Sequence, residues 1–241
     1  MGGMFVKPAC SRAQGAPLAV LCAMLFVAGC AISGVEGSDS AREGRLRYSD
    51  CPGGMIEDLE DGDNQAIKQE GRGGYWFTYS DKAGSTVSPM GAFKPAPGGV
   101  HGSKYAARFC GKVADAGQTL YVGMGLSLVD PKRPYEASKY KGISFWVKGG
   151  AEMRVMLLDQ NTDPSADRCT DCYNHFGVNF YAPEEWTRFT IPFDKMTQKE
   201  GWGDQLAGVS SKALIGIQFE YKTPGREYDI WVDDIAFVGC E

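Results

Sequence analysis

The stretch Arg168–Gly177, RCTDCYNHFG, gathers Cys169, Cys172 and His175, one of only two histidines in the chain. Such a cluster can ligate a metal, exchange thiols and disulfides, or staple a turn. Structural zinc takes four ligands, and no second cysteine pair or nearby histidine supplies the fourth. A redox CxxC opens a helix in a βαβ unit, whereas this one lies between the strand-like segments EMRVMLLD and FGVNFYA. A staple is the preferred reading if the chain folds in an oxidising compartment, and His175 is then a loop residue or a ligand contact. Signatures of catalysis are missing: there is no GxSxG, no HExxH and no phosphate-binding glycine loop. Acids are plentiful, but a hydrolytic carboxylate pair has no fixed spacing by which to recognise it. The chain reads as a binding protein rather than an enzyme.

The compartment follows from the N-terminus. Lys7 and Arg12 precede the apolar run APLAVLCAMLFVAGC, a charged-then-hydrophobic order that marks an export signal and is too short to span a bilayer. Its end, Val27-Ala28-Gly29-Cys30, resembles the bacterial lipobox, so residues 1–29 are expected to leave as a lipoprotein signal peptide and Cys30 to carry the lipid. A diacylglycerol and an N-acyl chain together meet the two-signal requirement for stable anchoring. With Ala31 rather than aspartate next, the expected location is the cell envelope, lipid-anchored at the outer membrane. Residues 30–50 are small and polar and read as a flexible tether; the folded domain is expected over 51–241. The net charge of −5, without any basic run, excludes nucleic acid and a polybasic membrane patch as partners.

With Cys10 and Cys22 in the signal and Cys30 lipidated, five cysteines remain. Cys51 and Cys240, at the two ends of the domain, are expected to bridge; Cys169 pairs with Cys172; Cys110 is left as a buried free thiol.

Around ten short runs of alternating or continuous apolar residues, separated by Gly, Pro, Asp and Asn, position these groups. They predict an all-β antiparallel sandwich of the jelly-roll kind. In KGISFWVKG, Ile143, Phe145 and Val147 share one face, with Ser144, Trp146 and Lys148 on the other. In ALIGIQFEYK, Ile215, Ile217, Phe219 and Tyr221 oppose Gly216, Gln218 and Glu220. By the same period Asp233 shares a face with Trp231, Ile235 and Phe237. DQNTDP, Asp159–Pro164, reads as a turn, QLAGVSSKAL offers room for a short helix, and SPMGAFKPAPGGVHG reads as a long mobile loop.

Several of these stretches taken in order, MIEDLEDGDN, GRGGYWFTYSD, YKGISFWVKG, EWTRFTIPF, GWG and YDIWVDDIAF, resemble the galactose-binding-like jelly rolls. The likeness is to family-eleven carbohydrate-binding modules and the related domain named for a complex I assembly factor. It implies a β-sandwich, a structural Ca²⁺, and binding of glucan or cell-wall polysaccharide; the assembly-factor relatives imply an envelope protein partner as the alternative. The family's opening acidic motif corresponds to Glu57-Asp58-Leu59-Glu60 and its closing one to Asp233-Asp234-Ile235. Calcium would be held mainly by Glu60 and Asp233, with backbone carbonyls and Asp58, because calcium takes oxygen ligands and an unpaired buried carboxylate is costly. A sugar site needs rings to stack on pyranose faces and polar groups for the hydroxyls. Tyr75, Phe77, Tyr79, Trp146, His175, Tyr181 and Trp202 are the candidate ring contacts; Arg154, Asn179, Gln218 and Glu220 are the polar ones. Trp76, Trp186 and Trp231 are assigned to the core.

Overall fold

Period-two apolar patterning lays down twelve strands, interrupted wherever Gly, Pro or Asx residues break the ladder. They are β1 (Asp50–Glu57), β2 (Trp76–Ser80), β3 (Thr86–Ser88), β4 (Ala96–Pro97), β5 (Tyr105–Lys112) and β6 (Val122–Ser127). There follow β7 (Gly142–Lys148), β8 (Ala151–Asp159), β9 (Phe176–Ala182), β10 (Thr187–Pro192), β11 (Leu214–Tyr221) and β12 (Glu227–Val238). This computed structural model describes Cys10 and residues 50–240, apart from 92 and 118. The expected signal peptide, apart from Cys10, the lipidation site Cys30 and the tether up to 49 lie outside the described residues. Among the described residues no helix is long and apolar enough to cross a membrane.

The strands form two antiparallel sheets. One has seven strands, in the order β10-β7-β12-β5-β3, with β1 also on β12 and β4 on β5. The other has five, β2-β6-β11-β8-β9. Their inner faces meet in one core. Ile143, Phe145 and Val147 from β7 are fully buried, as are Ile215, Ile217 and Phe219 from β11, which is the partition the alternation predicts. Phe145 reaches across the layers to Phe219 at 5.0 Å and Phe180 at 5.7 Å, both edge-on, a geometry that favours aromatic pairs beyond their buried area. Cys51 and Cys240 are bridged, with Cα atoms 5.7 Å apart, so the disulfide joins the start of β1 to the residues just after β12.

Five local readings change. Trp186 and Trp231 are not core: both lie half-buried on the outer face of the seven-stranded sheet, where the Lys148 ammonium stands 4.8 Å and 4.9 Å from their ring centres. Asp233 faces outward with Trp231, but Ile235 and Phe237 turn inward, because β12 carries an extra residue opposite β7 between Asp233 and Ala236 and Asp234 takes φ 47°. The long Pro/Gly loop is tied down by Phe93, stacked on Trp76 at 5.3 Å, and by the pairing of β4 with β5. The helix segment holds a single 3₁₀ turn, Ser211–Ala213. In the unprocessed chain Cys110 is bonded to Cys10 rather than free, and it loses that partner when the expected signal peptide leaves.

Candidate functional site

The outward face of the five-stranded sheet is paved with glycine at alternate positions, and the large side chains beside them lie down over the gaps. Gly125 pairs with Phe77 on β2, and a Cβ placed on it would stand 2.5 Å from that ring. Gly123 pairs with Tyr79, and its Cβ would stand 2.3 Å from the tyrosine oxygen. Only glycine allows rings to rest this close to the strand. Tyr75, Phe77, Tyr79 and Tyr121 thus form a row, with successive ring centres 6.3, 6.2 and 6.1 Å apart. On the opposite side Gly177 leaves room for the Arg154 guanidinium, whose Nη atoms donate to Asn179 Oδ1 at 3.1 Å and to the Thr197 carbonyl at 2.5 Å.

Two loops wall this floor. The first is the Cys169–Cys172 segment, which is a disulfide-closed turn with Cα atoms 5.2 Å apart. Immediately after it Tyr173, at φ 75°, projects into solvent. Asn174 is buried and donates to the carbonyls of Lys199 and Trp202 at 2.8 and 2.7 Å, which fastens the turn to the second loop, Gln198–Gln205. Asp204 accepts from the amides of Thr170 and Asp171, and Asp171 accepts from that of Gly203, completing the splice. His175 is buried with Nδ1 3.0 Å from Thr162 Oγ1; burial pushes its imidazole down to about 4, so it is neutral. Among the described residues no three His, Cys, Asp or Glu side chains converge on a metal position around it.

The result is an open cleft of about 1130 Å³, larger than a pocket built for one small molecule. Two polar atoms of its lining, Tyr79 Oη and Arg154 Nε, are buried with no hydrogen-bond partner among the described residues. An unsatisfied buried donor costs about 1–3 kcal/mol.

Of the residues nominated from sequence, Phe77, Tyr79, Arg154, His175, Trp202, Gln218 and Glu220 all line the cleft. Tyr75 extends the aromatic row, Asn179 holds Arg154, and Tyr181 stands exposed farther along β9, opposite Glu152. Trp146 does not belong: it pairs with Asp233 on the other sheet, with its ring 4.5 Å from His101. Sequence reasoning missed Tyr121, Lys132, Tyr173, Lys199 and Lys222, all of which line the cleft. Only Tyr173 carried a signal, standing directly after a cysteine staple.

The acidic motifs meet at the far sheet. Glu60 Oε1 accepts from the Lys104 and Tyr105 amides at 2.7 and 3.1 Å, and Asp58 accepts from the Glu60 amide at 3.1 Å. Asp233, fully buried, accepts from Val100 and Asp234, both at 2.9 Å. Burial, with help from Asp234 and Glu60, raises Asp233 to about 7 against these amides. Hydrogen bonds therefore offset the burial only partly. Among the described residues no three His, Cys, Asp or Glu side chains converge on a metal position here.

No protein-family profile matches the chain. Over 198 residues, 78% of its length, it is 28% identical to endoglucanase 3 of Fibrobacter succinogenes, and it spans only 27% of that protein. Its fold matches the family 11 carbohydrate-binding module of a cellulosomal cellulase of Clostridium thermocellum with a TM-score of 0.57 at 21% identity, covering 80% of this chain and 97% of the module. A family 11 module from the same organism, in complex with a β-1,3-1,4-mixed-linked tetrasaccharide, gives 0.52 at 21% identity over 74% and 96%. A family 30 module of another cellulosomal cellulase of that organism gives 0.51 at 12% identity over 78% and 96%. The chain therefore has the β-sandwich jelly-roll fold of family 11 and family 30 carbohydrate-binding modules.

Proposed function

We propose that this chain binds carbohydrate without catalysis, taking a glucan or cell-wall polysaccharide along the cleft of the five-stranded sheet. One observation carries the reading: rings resting over glycines lie beside polar and cationic side chains in one open cleft. Pyranose rings present apolar faces to stack on Phe77, Tyr79 and Trp202, and hydroxyls to pair with Arg154, Gln218 and Glu220. The fold shared with carbohydrate-binding modules supports the reading, although fold alone does not decide function. Retardation of the chain in native gels cast with neutral and carboxymethylated β-glucans tests it. Mobility unchanged across all of them, neutral and anionic, removes the proposal.

Two further roles belong to the same reading. Ca²⁺ is proposed at Glu60 and Asp233, with Asp58 and backbone carbonyls completing the shell, as a structural ion joining the chain's acidic ends. Lipidation at Cys30 is proposed to tether the domain to the outer membrane, the support being the charged-then-apolar leader that ends in VAGC. Metabolic labelling with palmitate, lost in Cys30→Ala, checks the anchor.

A further inference from the structure

The cleft's charge is one-sided. Four cationic side chains line it, Lys132, Arg154, Lys199 and Lys222, against two carboxylates, Asp163 and Glu220. Asp163 is already engaged: it accepts from Lys132 Nζ at 2.8 Å and from the Ser165 amide and hydroxyl at 2.9 and 2.6 Å. Glu220 is shared, with Lys199 at 3.4 Å and Lys222 at 4.0 Å. Among the described residues Arg154 faces no carboxylate within ion-pair distance, and its Nε has no partner. Arg154, Lys199 and Lys222 therefore crowd around a single acid on one side of the aromatic row. Desolvation, then the neighbouring Lys199, hold Lys222 below the usual lysine range, as crowding of like charges requires. The chain as a whole is acidic, at −5, so attraction for an anion must come from this cleft and not from net charge.

We infer that the cleft selects a glycan bearing anionic groups, with a carboxylate or sulfate ester set on the Arg154–Lys199–Lys222 side while the sugar ring lies on Phe77 and Tyr79. This rests on the carbohydrate reading and narrows it. A neutral glucan leaves the excess charge in the cleft uncompensated, whereas an anionic sugar pairs with it and releases Glu220 from serving two lysines.

Polymers on one β-1,4-glucan backbone separate the cases: hydroxyethyl cellulose as neutral, carboxymethyl cellulose as carboxylate and cellulose sulfate as sulfate ester, with polyglutamate as a polyanion without sugar. The full chain is titrated with each at low and at high salt. The expected result is affinity roughly tenfold higher for an anionic cellulose than for the neutral one, shrinking as salt screens it. Whichever anionic polymer binds tighter identifies the group. In Lys199→Gln/Lys222→Gln the ratio of anionic to neutral affinity falls towards one. Equal affinity for neutral and anionic celluloses overturns the inference and leaves the carbohydrate reading standing. Competition by polyglutamate as strong as that by the anionic celluloses also overturns it, reducing the feature to a general cationic patch. Binding of no cellulose polymer at all overturns the carbohydrate reading itself.

Discussion

Phe77 lies across Gly125: the two pair between β2 and β6, and any Cβ at position 125 would stand 2.5 Å from the ring tip and 3.0 Å from Gln218 Cγ. Ring and glycine are thus one unit, the first building the floor and the second leaving space for it. Gly125→Ala should lift Phe77 and crowd Gln218 without touching the core face. Overpacking of this kind costs about 1–3 kcal/mol. Thermal unfolding should reveal that modest loss, while glycan affinity falls by about tenfold or more.

The two disulfides of the domain should separate by their consequences. In the chain-entropy account, the loop closed by Cys51–Cys240 stabilises by about 5 kcal/mol and the turn closed by Cys169–Cys172 by about 2 kcal/mol. Cys240→Ser should therefore depress the melting temperature far more than Cys172→Ser. Binding should follow the reverse order, because Cys172→Ser frees the turn that delivers Tyr173, Asn174 and His175 to the cleft wall. Differential scanning calorimetry and glycan titration on the same samples make the comparison.

His175 gives a pH signature. Its imidazole, buried and held down to about 4, is neutral in the fold, while the unfolded chain takes up its proton near 6.5. The contribution is fully present above pH 6.5 and is lost as pH falls towards 4, amounting to at most about 3 kcal/mol. Chemical denaturation at pH 7, 5.5 and 4.5 should show this decline in the natural chain. His175→Gln should flatten the part of it that falls in this window.

The sequence made some of this visible. Strict alternation in Ile143–Val147 and Ile215–Tyr221 told inward from outward residues, and both strands bury the expected set. Alternation cannot say which outer face is walled by loops. Trp146 and Gln218 both point outward, yet only Gln218 meets the cleft, because the two residues sit on opposite sheets. The one-residue bulge at Asp234 is equally silent in the pattern, and it is what turns Ile235 and Phe237 away from Asp233's side. Lys199 and Lys222 lie far along the chain from Arg154 and meet it only because β11 sits between β6 and β8 and the Gln198–Gln205 loop folds back over the sheet.

That separation of faces supplies a control. Trp146→Ala removes a ring that packs against His101 on the far sheet and should leave glycan affinity unchanged, whereas Trp202→Ala, at the cleft wall, should reduce it. Parallel titrations of the two variants decide which tryptophan serves the ligand.

For the acidic ends, calcium added to chelator-treated protein should raise stability by about 2.7 kcal/mol once it reaches a hundredfold over its dissociation constant. Asp233→Asn should abolish that response. A melting temperature indifferent to calcium and chelator would mean that the backbone amides of Glu60, Val100, Lys104, Tyr105 and Asp234 are the whole of what these carboxylates hold.

The central claim is that rings over glycines bind sugar, and calorimetric titration of the natural chain and Tyr79→Ala with a soluble β-glucan, neutral and carboxymethylated, tests it most directly. The account predicts saturable binding by the natural chain to at least one of the two, and loss of at least tenfold in Tyr79→Ala with the melting transition still cooperative. Heats indistinguishable from dilution for the folded natural chain, or equal affinities for the two proteins, would contradict it.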